Sequence, residues 1–153
     1  MAIEARLNEL GITLPDAAAP VASYQPVVVA NGFAHVSGQL PFIDGELVKG
    51  TLGKDVTLAR GIEAARACGL MILAQLKGAE IDLDRVRRIV KLGAFVASAD
   101  DFFDQPKVAN GASDLMFDVF GETGRHARSA VGVPVLPLGV AVEIDAIIAI
   151  EEA

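Results

Sequence analysis

Two charged side chains stand where this sequence is most apolar: Arg128, at the start of the run ARSAVGV after Ala127, and Glu143, which lies inside VAVEIDAI. An arginine presents a planar fork of donors that matches a carboxylate or a phosphate. Arg128 precedes Ser129-Ala130-Val131, so backbone N–H groups at the start of a strand can join it in gripping an anion. An ion pair with an acid at the strand's end would satisfy it equally well. Glu143 alternates to the face opposite Val140, Val142 and Ile144, and Asp145 shares that face. Facing solvent, the two are ordinary surface acids. Lining an interface cleft, Glu143 would be desolvated, its carboxyl pushed up, and able to hold or activate a water.

Other chemistry is thinly supplied. Tyr24 is the one tyrosine and precedes the first strand, where a phenol on an apolar body suits either the rim of a pocket or plain packing. His35 and His126 are the two histidines, and Cys68 is the one cysteine. This leaves no disulfide and no evident metal set, so neither metal nor cofactor is expected. Cys68, within EAARACGLMIL, reads as a small buried helix residue. GQLPFIDGE lacks the helix and Lys-Ser/Thr of a phosphate loop, and no serine sits in a G-x-S-x-G elbow.

The elements that must carry these residues follow from periodicity and turn chemistry. Residues 4–10 predict a short helix ended by Gly11, and 15–20 (PDAAAP) a linker. In YQPVVVANGFAHVSGQLP, Asn31-Gly32 between β-rich runs predicts a type I′ hairpin. Residues 42–55 read as a glycine-rich loop with room for a small ribbon. Leu58, Ile62, Ala65, Gly69, Ile72, Leu73 and Leu76 recur at helical spacing, predicting a helix from Asp55 or Thr57 to Lys77. Residues 86–98 predict a strand, with Val86, Arg88, Val90, Leu92, Ala94 and Val96 on one face. A second long helix is expected from near Pro106 to Phe120, and residues 124–147 supply the last two strands. The order β-β-α-β-α-β-β defines a two-layer α+β domain with a mixed sheet and two helices on one face.

Bulk properties narrow the partners. The net charge of −7 repels a phosphate backbone, and no run of Lys or Arg exceeds Arg87-Arg88, which disfavours nucleic acid. Hydrophobic residues make up 52% of the chain, yet no stretch approaches the ~20 apolar residues of a membrane span. The N-terminus shows no signal-peptide core, and with one cysteine a reducing, cytoplasmic setting fits. The surplus apolar surface, above all the sheet face not covered by helices, is expected to meet another chain of the same kind.

The ordered segments Tyr24, SGQLP at 37–41, KLGAFVASADDF at 91–102, ARSAV at 127–131 and VEIDAI at 142–147 resemble the RidA/YjgF family across residues 20–150. These are small trimeric enamine/imine deaminases, also described as L-PSP endoribonucleases. The resemblance implies a chorismate-mutase-like α+β fold, a homotrimer with a pocket at each subunit interface, and no cofactor. It implies that Arg128 binds a substrate carboxylate beside the Ala130 N–H and that Glu143 positions the attacking water. Tyr24 would close the pocket from a neighbouring subunit, with Ser37 and Gly38 facing the ligand and Asn110 nearest to the family's helix asparagine. The chain departs from the pattern in Ala22-Ser23 before the tyrosine and in an N-terminal extension, dividing it into residues 1–20 and a domain at 21–153. Hydrolysis of carboxylate-bearing imines is therefore expected. The rivals are a non-catalytic binder of small carboxylates, an endoribonuclease, and a chorismate-mutase-like isomerase, for whose dianionic substrate one well-placed arginine is too few.

Overall fold

The computed structural model describes residues 2–19 and 22–152. Two turns of identical chemistry set its hairpins. Asn31 and Gly32 (φ +52° and +80°) join β1 (Val27–Ala30) to β2 (Phe33–Gln39), as a type I′ turn requires. Asp44 and Gly45 (φ +52° and +80°) likewise join the two-residue strands β3 (Phe42–Ile43) and β4 (Glu46–Leu47), the small ribbon in the glycine-rich loop.

The long helices begin and end on readable signals. Thr57 caps α2 (Leu58–Gly78), its hydroxyl accepting the Arg60 N–H at 3.1 Å. α3 (Gln105–Phe120) carries Pro106 in its first turn and stops at Gly121, φ +66°. Between them runs β5 (Val86–Ala97), and β6 (Ala127–Val133) and β7 (Val142–Ile150) complete the sheet. Its strand order is β1-β2-β7-β5-β6, antiparallel throughout except for the parallel pair β5–β6. That parallel pair needs a crossover, and α3 supplies it. This is the expected mixed sheet with both long helices on one face.

The core lies between sheet and helices. Val142, Ile144, Ala146, Ile148 and Ile150 of β7 face Ala65, Cys68, Ile72 and Leu76 of α2 within one buried cluster. Gly111 allows the helices to touch, because a Cβ there would overlap the Ile62 carbonyl. The short helix α1 (Ile3–Glu9) belongs to the same cluster through Ile3 and Leu7, and Arg6 Nε donates to the Asp118 carbonyl of α3 at 2.8 Å. The expected boundary between residues 20 and 21 falls on two residues outside those described, Pro20 and Val21.

One expectation fails in β5. Strict alternation placed Ile89 opposite Leu92, Ala94 and Val96, and Arg88 with them. The strand instead carries two register shifts, between Val86 and Arg88 and between Ile89 and Lys91. Each inserts a residue and flips the alternation, so Ile89 is buried with the core set and Arg88 is exposed.

The face away from the helices is open and apolar in part. Phe33, Val28 and Val131 are among its exposed residues, in register with half-buried Phe95, Ile147 and Ala149. Among the described residues no helix is long and apolar enough to cross a membrane.

Candidate functional site

Arg128 sits on the edge strand β6 in register with buried Leu92, so its side chain projects to the helix side of the sheet. There its Nη1 donates to Asn110 Oδ1 at 2.8 Å and to Ser113 Oγ at 3.0 Å, one turn apart on α3. Among the described residues no carboxylate forms an ion pair with it. The guanidinium is held by neutral groups, and its charge remains available to an incoming anion. Ala130, two residues along the same edge strand, lies on the same side and packs partly against the core. An edge strand leaves half of its backbone groups outside the ladder, ready for a ligand or another chain.

The arrangement continues behind Ser113. Its Oγ lies 2.8 Å from His126 Nε2, and His126 Nδ1 lies 2.7 Å from the Gly124 carbonyl. A carbonyl oxygen only accepts, so Nδ1 carries the proton and the Ser113 hydroxyl donates to Nε2. The chain of bonds thus runs in one direction, from Arg128 through Ser113 to His126 and on to Gly124. Burial holds the His126 imidazole below its ordinary pKa, and the positive charges of Arg128 and Arg88 lower it further against the opposing Gly124 carbonyl. These groups line a cleft of about 480 Å³ that also touches Asp114, Phe117 and Arg125. In the sequence His126 is one of two histidines without a metal set, and Ser113 carries no motif that singles it out. The available signal was spacing: Asn110 and Ser113 lie three residues apart on a helix face, and His126, just before β6, lies two residues from Arg128.

Glu143 occupies the other face of the sheet. Between Val36 and Gln39 the β2–β7 register shifts by one residue, a bulge that brings Ser37 and Gly38 beside β7. A Cβ at Gly38 would collide with the Glu143 carboxylate, so the acid lies flat against bare backbone. The bulge turns Gln39 inward, where its Nε2 donates to the Ser37 carbonyl at 3.0 Å and its Oε1 accepts from Gln75 at 3.2 Å. This buried amide pair locks the backbone that faces Glu143. Asp145 repeats the device over Gly93, whose Cβ position it likewise fills. Burial raises the Glu143 carboxyl above its usual range and the neighbouring Asp145 charge adds to this. Burial raises Asp145 too, opposed by the Gly93 backbone and Lys91. Tyr24, 48% exposed, lies just before β1, two residues from Pro26, whose carbonyl accepts the Ser37 N–H of the bulge at 2.9 Å.

The sequence-predicted residues therefore form two groups. Arg128, Asn110 and Ala130 meet on the helix side at the β6 edge. Glu143, Gly38, Ser37 and Tyr24 gather around β1, β2 and β7, with Glu143 on the open face. Strand β5 intervenes, so the groups stand two strand spacings apart, ~10 Å, on opposite faces. Among the described residues no cluster of three or more His, Cys, Asp or Glu could hold a metal ion.

Both the fold and these segments match known proteins. The family model described as "YjgF/chorismate_mutase-like, putative endoribonuclease" matches residues 4–148, and the chain belongs to this YjgF/RidA family. Protein TCP17 of Trypanosoma cruzi is 53% identical over 148 residues, spanning 95% of this chain and 92% of that protein. A crystal structure of a protein of unknown function from Agrobacterium tumefaciens is 49% identical, covers 98% of this chain and 93% of its own, and has a TM-score of 0.91. A structure from Shewanella oneidensis, titled a "putative endoribonuclease", is 34% identical over 98% of this chain and 100% of that one, with a TM-score of 0.93.

Proposed function

We propose that the protein hydrolyses small imines bearing a carboxylate, such as the tautomer of 2-aminoacrylate, to a 2-keto acid and ammonia. The observation that carries this reading is the guanidinium of Arg128, fixed by Asn110 and Ser113 with no carboxylate paired to it among the described residues. Such a group binds a carboxylate through a charge-assisted fork, with the Ala130 N–H beside it. Glu143, ionised, takes a proton from water as the oxygen adds to the imine carbon. That proton passes to nitrogen to give the carbinolamine, and the hydroxyl proton follows it through the carboxylate as the C–N bond breaks, releasing ammonia and the keto group. An imine is already electrophilic, so this scheme calls on no cofactor.

The pocket is completed by a second copy. Arg128 and Glu143 face opposite ways within one chain, whereas copies packing through the open apolar face bring one chain's Glu143, Gly38, Ser37 and Tyr24 to the next chain's Arg128 edge. A closed homotrimer in a reducing compartment such as the cytoplasm fits the family and the chain's apolar surplus. Keto-acid release from freshly generated 2-aminoacrylate tests the reaction, with acceleration expected for the wild type and lost in Arg128→Ala. Glu143→Gln separates a catalyst from a mere carboxylate binder: the former loses turnover and keeps affinity, the latter has no turnover to lose. RNA cleavage is the weaker reading, since Glu143 and Asp145 would face a polyanion on the open face.

A further inference from the structure

The proposed reaction uses Arg128 and Glu143 and leaves the Ser113–His126 pair without a task, although both are half-buried, Ser113 is bonded directly to the carboxylate anchor and His126 is bonded to Ser113. Resting on the carboxylate-binding reading of Arg128, we propose that Ser113 and His126 are its positioning residues, and that anion capture by Arg128 is linked to uptake of one proton by His126.

The argument is one of hydrogen-bond direction. With His126 neutral, the Ser113 hydroxyl must donate to Nε2, and its oxygen accepts from Arg128. The serine then offers nothing to the cleft. When Nε2 gains a proton it becomes a donor, and the serine oxygen accepts from both His126 and Arg128. The hydroxyl hydrogen is released and can turn toward an anion seated on the guanidinium. Protonation thus adds one donor and one positive charge beside Arg128. Without an anion this state is opposed by like charge and by burial, which is the direction in which the imidazole is already displaced. An anion removes the opposition, so anion and proton favour one another's binding.

The other charges around the imidazole do not cancel this link. Arg128 on β6 and Arg88 on β5 both disfavour the imidazolium in the empty cleft. On the side of the 3-10 turn Gly121–Gly124 that follows α3, Arg125 is engaged by Glu122 at 3.1 Å and lies over the Phe117 ring, 4.4 Å from its centroid. Asp114 of α3 lines the cleft and is exposed, so its influence is screened.

Pyruvate, the keto-acid product of 2-aminoacrylate, is the probe. Its affinity is measured by calorimetry across the imidazole range in buffers of different ionisation heat. The wild type should bind more tightly as pH falls, by at most about tenfold per pH unit, with net proton uptake. His126→Gln should bind with no such slope, and Ser113→Ala more weakly with a flattened one. A wild-type affinity independent of pH, or an unchanged slope in His126→Gln, overturns the proposal. If pyruvate binds to no variant at any pH, the carboxylate reading of Arg128 fails, and nitrogen-15 NMR of the ligand-free imidazole judges the linkage separately. The Nδ1–H tautomer and a titration midpoint that rises in Arg128→Ala support it; the opposite tautomer, or a midpoint indifferent to Arg128, refutes it.

Discussion

A mixing experiment between two inactive variants tests the shared pocket most directly. Arg128→Ala removes the proposed carboxylate anchor and Glu143→Gln the proposed water-positioning acid, and both changes fall on half-exposed side chains, so the fold should survive them. Within one chain the two groups lie on opposite faces with β5 between them, and each pocket is expected to take Arg128 from one chain and Glu143 from its neighbour. In a ring assembled at random from equal amounts of the variants, a pocket is intact only when its arginine comes from a Glu143→Gln chain and its acid from an Arg128→Ala chain. That is roughly one half of one half, about a quarter of wild-type turnover in the whole mixture; each mixed trimer holds one such pocket, so about a third should return once the inactive single-variant trimers are removed. The chains are refolded together, mixed assemblies are isolated with two different tags, and keto-acid release from 2-aminoacrylate is recorded. Verified mixed assemblies with no recovered activity would refute the reasoning, because they would place a complete site within one chain or none at all.

Four further outcomes follow from the geometry. Gly38→Ala should displace the Glu143 carboxylate and lower turnover by about 10²-fold, with the circular dichroism melt little changed. Glu143→Gln should melt higher than wild type at neutral pH. The folded-state carboxyl titrates above its unfolded value, so ionising it costs folding stability as pH rises through that interval; the advantage of glutamine should vanish below the ordinary carboxylate range, where both states are protonated. By the same shift, turnover that needs ionised Glu143 should fall away on acidification at a higher pH than an ordinary glutamate would give. Leu7→Ala should lower unfolding stability by about 2–4 kcal/mol in urea denaturation while the transition remains single, because α1 shares the core of the long helices.

Elements governed by local chemistry were legible in the sequence. The Asn31-Gly32 hairpin, both long helices, the Gly121 stop of α3 and the alternation of β7 rest on turn residues and periodicity that few tertiary contacts override. The β5 faces were not legible, because a bulge is an adjustment to the partner strand and leaves no mark in Val86-Arg87-Arg88-Ile89-Val90. Within the site, Glu143 was correctly set opposite the core residues of β7, but its burial depended on Gly38, which lies far away in sequence. Arg128 presented two open alternatives, a ligand anion or an ion pair. The structure pairs it with Asn110 and Ser113, neutral partners brought within reach only by the α3 crossover. Sequence spacing along a strand also tells nothing of which face a second strand presents, so the opposed orientation of Arg128 and Glu143 became visible only once β6 was paired to β5.

The one cysteine provides a natural reporter for this architecture. Cys68 lies between α2 and β7, without solvent exposure, its Sγ 3.7 Å from the Val142 carbonyl. Burial, reinforced by the charge of Glu143, raises its pKa well above the ordinary thiol value, so in the closed state it is doubly protected from alkylating reagents. Modification then requires the helix layer to lift from the sheet, and the labelling rate measures the free energy of that opening. Thiol trapping followed by mass spectrometry can read how firmly the two layers are clamped, in the native chain and without an engineered label.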